Sequence, residues 1–422
     1  MEIEKAKWFN NADSPVVLMI DDLANLGADI GRDNKSNICN DWGYWRDLPN
    51  SSFAFLQEKL FVKFPKIKTT FFTIIGQPIN YLAERRRVRC GPINENDSTI
   101  NFFRKLHQSP NFEIAYHGLN HGLIRDGKYF NEWRSFNSAF EALGNIAVGQ
   151  KICQQVFGES LIGGKYPAYA SNGYSDESID KSGFIWWCRH WTYGEFLAKK
   201  KDYSVLEMKT FGKNYVVDFP STVSPHLISL KHIFRRIIER LRSVNLPVIE
   251  NSLAERSCFS AKRWKFMTDG FFRNQRQQLT RHLEELLRRK EVISIQEHMG
   301  AIRADGLRQT PNIIDDMENL QYIFSFLANK NVWNATCSEI ANYYLSFNQT
   351  EIISADEKGF VIRYAGRIKE PLLTLLVKTD KFIQAISPSG KSYKSIKCPL
   401  EDSWGLINIG VENGRYQLKL IN

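Results

Sequence analysis

SPVVLMIDDL, residues 14–23, is a run of apolar side chains that stops on two adjacent aspartates, Asp21 and Asp22. A strand with one wet face alternates apolar and polar residues. A strand apolar at consecutive positions is covered on both faces, as in the parallel sheets of α/β folds. Charge at the carboxyl end of such a strand falls where these folds keep their active sites. A solvated loop that begins with two acids is the plain alternative. Runs of the same kind recur at TTFFTIIG (69–76), FEIA (112–115), VVDFP (216–220) and EVISIQEH (291–298). Each stops at a polar or special residue and helical patterns lie between them, so the chain reads as an α/β fold.

The run 112–115 leads into YHGLNH (116–121), with His117 and His121 four positions apart in a chain of eight histidines. A strand end opening into a helical turn would bring positions i and i+4 to one side, where two imidazoles can converge. The alternative is two ordinary polar side chains at a helix edge. Two histidines and one carboxylate are a common ligand set for a divalent metal that keeps positions open. Such a metal lowers the pKa of water and polarises a carbonyl, as hydrolysis of an amide or ester requires. Whichever aspartate is not a ligand is then available as a base, and His298, at another strand end, as an acid.

Taken in order, Asp21-Asp22, His117-x-x-x-His121, the proline of GKYPAY (164–169) and the late strand ending in His298 give the chain a family likeness. It resembles the polysaccharide deacetylase family (carbohydrate esterase family 4) over most of residues 10–345. The resemblance implies a distorted (β/α) barrel. It also implies a zinc-like metal, with cobalt, nickel or iron as substitutes, held by Asp22, His117 and His121. Asp21 becomes the general base and His298 the general acid, a division between the two aspartates that rests on the resemblance alone. The family's third motif carries an arginine two residues before Pro167, where this chain has Lys165. Lysine keeps the charge and loses the planar two-point fork, so the base is expected to be oriented less firmly. Leu23 stands where many members have glycine, and Glu297 adds a carboxylate beside His298. Strand alternation puts Glu297 on the face opposite His298, in a structural role or orienting a cation.

In GFIWWCRHW (183–191), Trp186 or Trp187 matches the family's hydrophobic wall behind the acid, and the backbone N–H of Tyr169 is a candidate oxyanion donor. Pro167 and Tyr169 are counted with the substrate-binding residues. NDWGYWRD (40–47) collects Trp42, Tyr44 and Trp45 in a loop, as sugar-stacking faces or as simple packing against the barrel. His107 and His282 fall in charged helical patterns and are expected at the surface, while His190, His226 and His232 lack a partner at ligand spacing.

The chain has 422 residues, 43% of them hydrophobic, enough for one large domain and one small one. No apolar run is long enough to span a bilayer, and MEIEKAKWFNNADS has neither a basic start nor an apolar core, so a soluble cytoplasmic protein is the expectation. Seven scattered cysteines without C-x-x-C spacing predict free thiols. The net charge of +10 is concentrated at 84–89, 234–242 and 273–290, and could attract an anionic glycan, a lipid-phosphate-linked sugar or nucleic acid. No nucleic-acid motif accompanies it. The last run alternates Arg with Glu over leucines at helical spacing, as an ordinary solvated helix face does. Beyond residue 346, short alternating runs separated by PSGK and ENGR predict a β-sandwich-like accessory domain, 347–422, after a barrel domain, 1–346. Binding carbohydrate, capping the barrel and mediating oligomer contacts are its open roles.

The function expected is removal of an acetyl group, N-acetyl by preference, from a sugar, glycan or glycan precursor by a metal-dependent hydrolase. A non-catalytic carbohydrate-binding or scaffold protein, and a deformylase or other amidohydrolase acting on a sugar, are the alternatives. A cytoplasmic location favours a nucleotide-linked or lipid-linked sugar over finished wall polymer.

Overall fold

The computed structural model describes residues 2–27, 51–79, 89–226, 261–299, 310–379, 381–397 and 403–421, with side chains of the helix 261–289 described from residue 274. Trp42, Tyr44, Trp45, His232, the basic run 234–242 and nearly all of 84–89 lie outside these residues.

The apolar runs become parallel strands: β1 (Ser14–Leu23), β2 (Thr69–Thr73), β3 (Phe112–Tyr116), β4 (Gly163–Lys165), β5 (Trp186–Cys188), β6 (Val216–Asp218) and β7 (Ile293–His298). They lie in the order β6-β5-β4-β3-β2-β1-β7. Just past β6, Val223 forms a parallel bridge with Ile295 of β7, which closes the ring. Closure is uneven: β3 meets β4 at a single register pair, Tyr116 with Gly164. The amino half of β1 pairs with Val332–Asn334 while its carboxyl half pairs with β2.

Alternation along each strand sorts two layers. Leu18, Ile20, Phe71, Ile114, Ile293 and Ile295 face outward into a buried layer shared with the surrounding helices. Val17, Met19, Phe72, Ala115, Trp186 and Val217 fill the inside. Those helices carry their own stop and start signals. α1 (Asp97–His107) is capped by the Asn96 side chain, and α2 (Ala139–Phe157) by Ser138 at one end and Gly158, with φ 82°, at the other. α3 (Ala261–Arg289) lays Leu279, Leu283 and Leu286 on the barrel and keeps the Glu285–Arg288 pair outside. His282 lies on the inner stripe of α3. Expected at the surface, it is buried, with Nε2 2.8 Å from the Thr222 carbonyl and Nδ1 3.1 Å from the Tyr203 hydroxyl. Charge on neighbouring positions misled the reading, because the helix turns it to the other side.

The C-terminal segment forms two antiparallel sheets, one of five strands and one of four. The four-stranded sheet takes a strand from the other end of the chain: Ile3–Lys5 pairs antiparallel with Leu375–Val377. α4 (Met317–Leu327) and α5 (Cys337–Asn348) follow β7, and α5 starts with a capping box of Thr336 and Glu339. Ile340, Ala341 and Tyr343 of α5 join the barrel interior to Leu373, Ile407 and Tyr416 of the sheets in one buried cluster. The described cysteines, Cys90, Cys153, Cys188 and Cys337, are free thiols. Among the described residues no helix is long and apolar enough to cross a membrane.

Candidate metal and catalytic centre

The carboxyl ends of β1, β3, β4 and β7 deliver Asp21-Asp22, His117, Lys165 and His298 to one place. Asp21 and His298 are register partners on neighbouring strands. The β1–β2 register slips between Ile20 and Leu23, and Asp22 there has φ 68°. Left-handed backbone is uncommon for a side-chain-bearing residue and marks a position that the surroundings enforce.

His117 to His121 is a loop and not the helical turn expected from the spacing. Gly118, at φ 91°, and His121, at φ 65°, reverse the chain so that the second imidazole returns to the first. Buried Glu132 holds this reversal, its two oxygens each accepting a backbone N–H, from Leu119 and from Asn120, at 2.9 Å. A Cβ at position 118 would lie 2.6 Å from a Glu132 oxygen, so the loop requires glycine twice over. Burial, against the pull of these two N–H groups, pushes the Glu132 carboxyl up to about 7.

The hydrogen bonds anchor both rings through Nδ1. His117 Nδ1 lies 3.2 Å from the Lys165 carbonyl oxygen, which can only accept, so Nδ1 carries the hydrogen. His121 Nδ1 lies 2.8 Å from the Tyr129 hydroxyl, whose own proton is donated to the His121 carbonyl at 3.1 Å. His117 therefore presents a bare Nε2, and His121 does the same in the tautomer that donates from Nδ1 to the Tyr129 oxygen. The two Nε2 atoms sit 3.6 and 3.3 Å from Asp22 Oδ1, a buried oxygen without a hydrogen-bond partner among the described residues. Burial brings His117 down to about 4 against the attraction of Asp21 and Asp22, which keeps it neutral at pH 7. Asp22 is held well below the usual carboxylate range, because the nearby histidines outweigh burial. Three potential ligand atoms, from Asp22, His117 and His121, thus converge within 4.8 Å. One carboxylate and two imidazoles, each anchored through its Nδ1, fit a divalent cation of the zinc class.

Beside this triad stands Asp21, with Oδ2 4.0 Å from His117 Nε2 and 3.8 Å from His298 Nε2. His298 Nδ1 lies 2.7 Å from the Pro311 carbonyl, which fixes the ring with Nε2 toward Asp21. Burial raises the Asp21 carboxyl, but Lys165, His117 and His298 together bring it below its ordinary value. Lys165 is buried with Nζ 2.5 Å from Asp21 Oδ2. The expected looseness of a lysine at this position is not found. Nζ also donates to Gln296 Oε1 at 2.6 Å and stands 4.1 Å from the centre of the Tyr169 ring. A second acceptor and an aromatic face replace what the guanidinium fork would have supplied.

The Tyr169 hydroxyl donates to the same Gln296 oxygen at 3.2 Å. Its backbone N–H is committed to the Tyr166 carbonyl at 2.9 Å in the turn begun by Pro167, so it does not stand open as an oxyanion donor. Trp186 faces the barrel interior, bonded through Nε1 to Ser338 at 2.7 Å and edge-on to Phe72, whose ring centre is 6.1 Å from that of His117. Trp187 points to the outer layer against Phe184, Tyr166 and Trp133. Both indoles are fully buried. Glu297 lies on the outer face, as alternation requires. Neither of its oxygens has a hydrogen-bond partner among the described residues, and burial holds the carboxyl well above its ordinary value.

Three residues of this centre escaped the sequence reading. Gln296 shares the inner face of β7 with His298 two residues on, which period-2 alternation implies. Tyr129 and Glu132 come back on the hairpin of Gly122–Arg125 and Lys128–Asn131. Asp126-Gly127 between apolar positions is the sequence signal for that hairpin.

No family model matches this chain, and no curated protein matches it. Solved structures do. A peptidoglycan deacetylase from Bacillus subtilis aligns at 12% identity over 79% of this chain and 92% of its own, with a TM-score of 0.32. The Xyl-CE4 domain of a multidomain xylanase from the Trinervitermes trinervoides hindgut metagenome aligns at 12% identity, 78% and 89% coverage and a TM-score of 0.33. An allantoinase aligns at 13% identity, 80% and 92% coverage and a TM-score of 0.41. Structural neighbours over roughly four fifths of the chain thus include polysaccharide deacetylases, an esterase-family domain, an allantoinase and a 4-alpha-glucanotransferase, all at low identity. At such scores the likeness carries no argument about chemistry, which is read from the side chains of this chain.

Proposed function

We propose that this protein is a metal-dependent hydrolase that removes an acetyl group, N-linked by preference, from a sugar, a glycan or a glycan precursor. The observation that carries the proposal is the convergence of three buried ligand atoms, from Asp22, His117 and His121, beside an Asp21 carboxylate clamped by Lys165. A divalent ion on those three residues would acidify a water and polarise the acyl carbonyl. Asp21, kept ionised by Lys165, accepts the proton of the attacking water. His298 supplies a proton from Nε2 to the departing nitrogen, which cannot leave as an amide anion. An O–C bond forms, the C–N bond breaks, and acetate and a free amine result. The carbohydrate substrate is supported by the family resemblance of the motifs, and the net charge of +10 suits an anionic or lipid-phosphate-linked sugar. Cytoplasmic placement and a nucleotide- or lipid-linked substrate belong to the same proposal.

The test is metal content by elemental analysis, wild type beside His117→Ala, followed by acetate and formate release from a panel of acylated sugars. About one divalent ion per chain, absent from the variant, together with acetate release abolished by Asp21→Asn, is the expected result. A chain that takes up no metal on reconstitution would overturn the proposal. Formate release without acetate release would convert it to a deformylase.

A further inference from the structure

At the amino end of the barrel strands a cleft of about 540 Å³ opens between the barrel and the four-stranded C-terminal sheet. Its size is within the range of small-molecule sites. Lys66 and Asn111, just ahead of β2 and β3, line one side, and Asn331, Trp333 and Asn334, in and beside the strand that pairs with β1, line another. Ile396 of the C-terminal sheet closes it.

The polar groups of this cleft are largely unused by the fold. Asn331 and Asn111 each spend their NH₂ on a backbone carbonyl, of Asn11 at 2.9 Å and of Pro65 at 3.3 Å, and keep the amide oxygen. Lys66 Nζ, the indole N–H of Trp333 and the side-chain amide of Asn334 make no hydrogen bond among the described residues. Donors and acceptors are thus interspersed, one cation is present, and no carboxylate is found among the described lining residues. Trp333 is held by Phe9 and Tyr343, with ring centres 5.4 and 5.5 Å away, so its indole is placed before any ligand arrives.

We infer that this cleft is a second carbohydrate site, binding one or two sugar units of a glycan. An indole supplies an apolar ring face with a polar handle. Neighbouring amides and an ammonium supply the mixed donors and acceptors that vicinal hydroxyls need. The site is remote from the metal centre: β1 runs from Ser14 at the cleft end to Asp21, seven steps or about 23 Å. Because the packed barrel interior lies between, it anchors a glycan that passes round the outside of the barrel with its reacting sugar many units away, and raises the effective concentration of long substrates. The ligand class follows from the lining; the consequence for turnover rests on the deacetylase reading above.

The experiment is calorimetric titration of the full chain carrying Asp21→Asn and His117→Ala with hexamers of N-acetylglucosamine and of glucose. The same titration is then run after adding Lys66→Ala with Asn334→Ala, or Trp333→Phe, which keeps an aromatic ring against Phe9 and Tyr343. One hexamer is expected to bind despite the disabled metal centre, and the cleft variants to weaken it about tenfold or more with unchanged thermal melting. No binding of either hexamer at about 10 mM, or binding equal in the cleft variants, would overturn the inference. Acetate release by the wild type in that event leaves the proposed function intact. Hexamer binding lost in the cleft variants, in a protein that releases no acetate, leaves the cleft standing alone.

Discussion

Replacing Lys165 by methionine removes one charge at nearly constant volume from a position with no access to water. In the metal-free protein the 2.5 Å partner of Asp21 Oδ2 disappears, and the carboxylate stays buried with His117 and His298 as its remaining neighbours. Breaking a buried pair by deleting one partner costs about 3–5 kcal/mol, because the orphaned charge cannot be hydrated. The burden is relieved if the carboxylate goes too, so Lys165→Met with Asp21→Asn should recover most of the loss, with a coupling energy of about 2–3 kcal/mol. Urea melts at pH 7 in chelator, for the four corners of the cycle, measure this directly. The sign of the pH dependence follows from the lowered Asp21 carboxyl. Its stabilising contribution is complete above the unfolded value of 3.8 and is lost as pH falls through the depressed folded value. The penalty of Lys165→Met should therefore shrink in acid. A single variant within about 1 kcal/mol of wild type at pH 7, or a double variant no more stable than the single, would refute the reasoning.

Tyr129→Phe removes the oxygen on His121 Nδ1 and frees the imidazole to change tautomer; metal affinity should fall about 10–100-fold in a chelator competition, with melting in chelator nearly unchanged. Equal affinities would show that the hydroxyl does not set the tautomer. Glu132→Ala strips the acceptors from the part-buried N–H groups of Leu119 and Asn120 and should cost about 1–3 kcal/mol for each donor left unpaired, read by denaturant melts; a loss below about 1 kcal/mol would mean that water replaces the carboxylate. Glu297 has a raised carboxyl, so its burial penalises the fold increasingly as pH rises above the unfolded value of 4.5. Glu297→Gln should then be more stable than wild type at pH 8 and lose that advantage at pH 4. A destabilised variant at pH 8 would reveal a role for the ionised form.

Local periodicity determined much of this protein. Residues 14–23 could be read as a strand covered on both faces because consecutive apolar side chains point to opposite sides, and the same rule put Glu297 behind His298. Strand ends located Asp21, Asp22, His117 and His298, since in a parallel sheet the carboxyl ends lie together. The spacing of His117 and His121 was legible, but not its cause: the reversal is made by left-handed Gly118 and His121 and braced by Glu132, contacts that no helical period encodes. Only the packed barrel decided that Lys165 is caged by Gln296, 131 positions away, that His282 turns inward, and that Ile3 pairs with Val377. A repeat along the chain says which face a side chain occupies. Which distant face it meets depends on register and burial, and these are settled when the whole core closes.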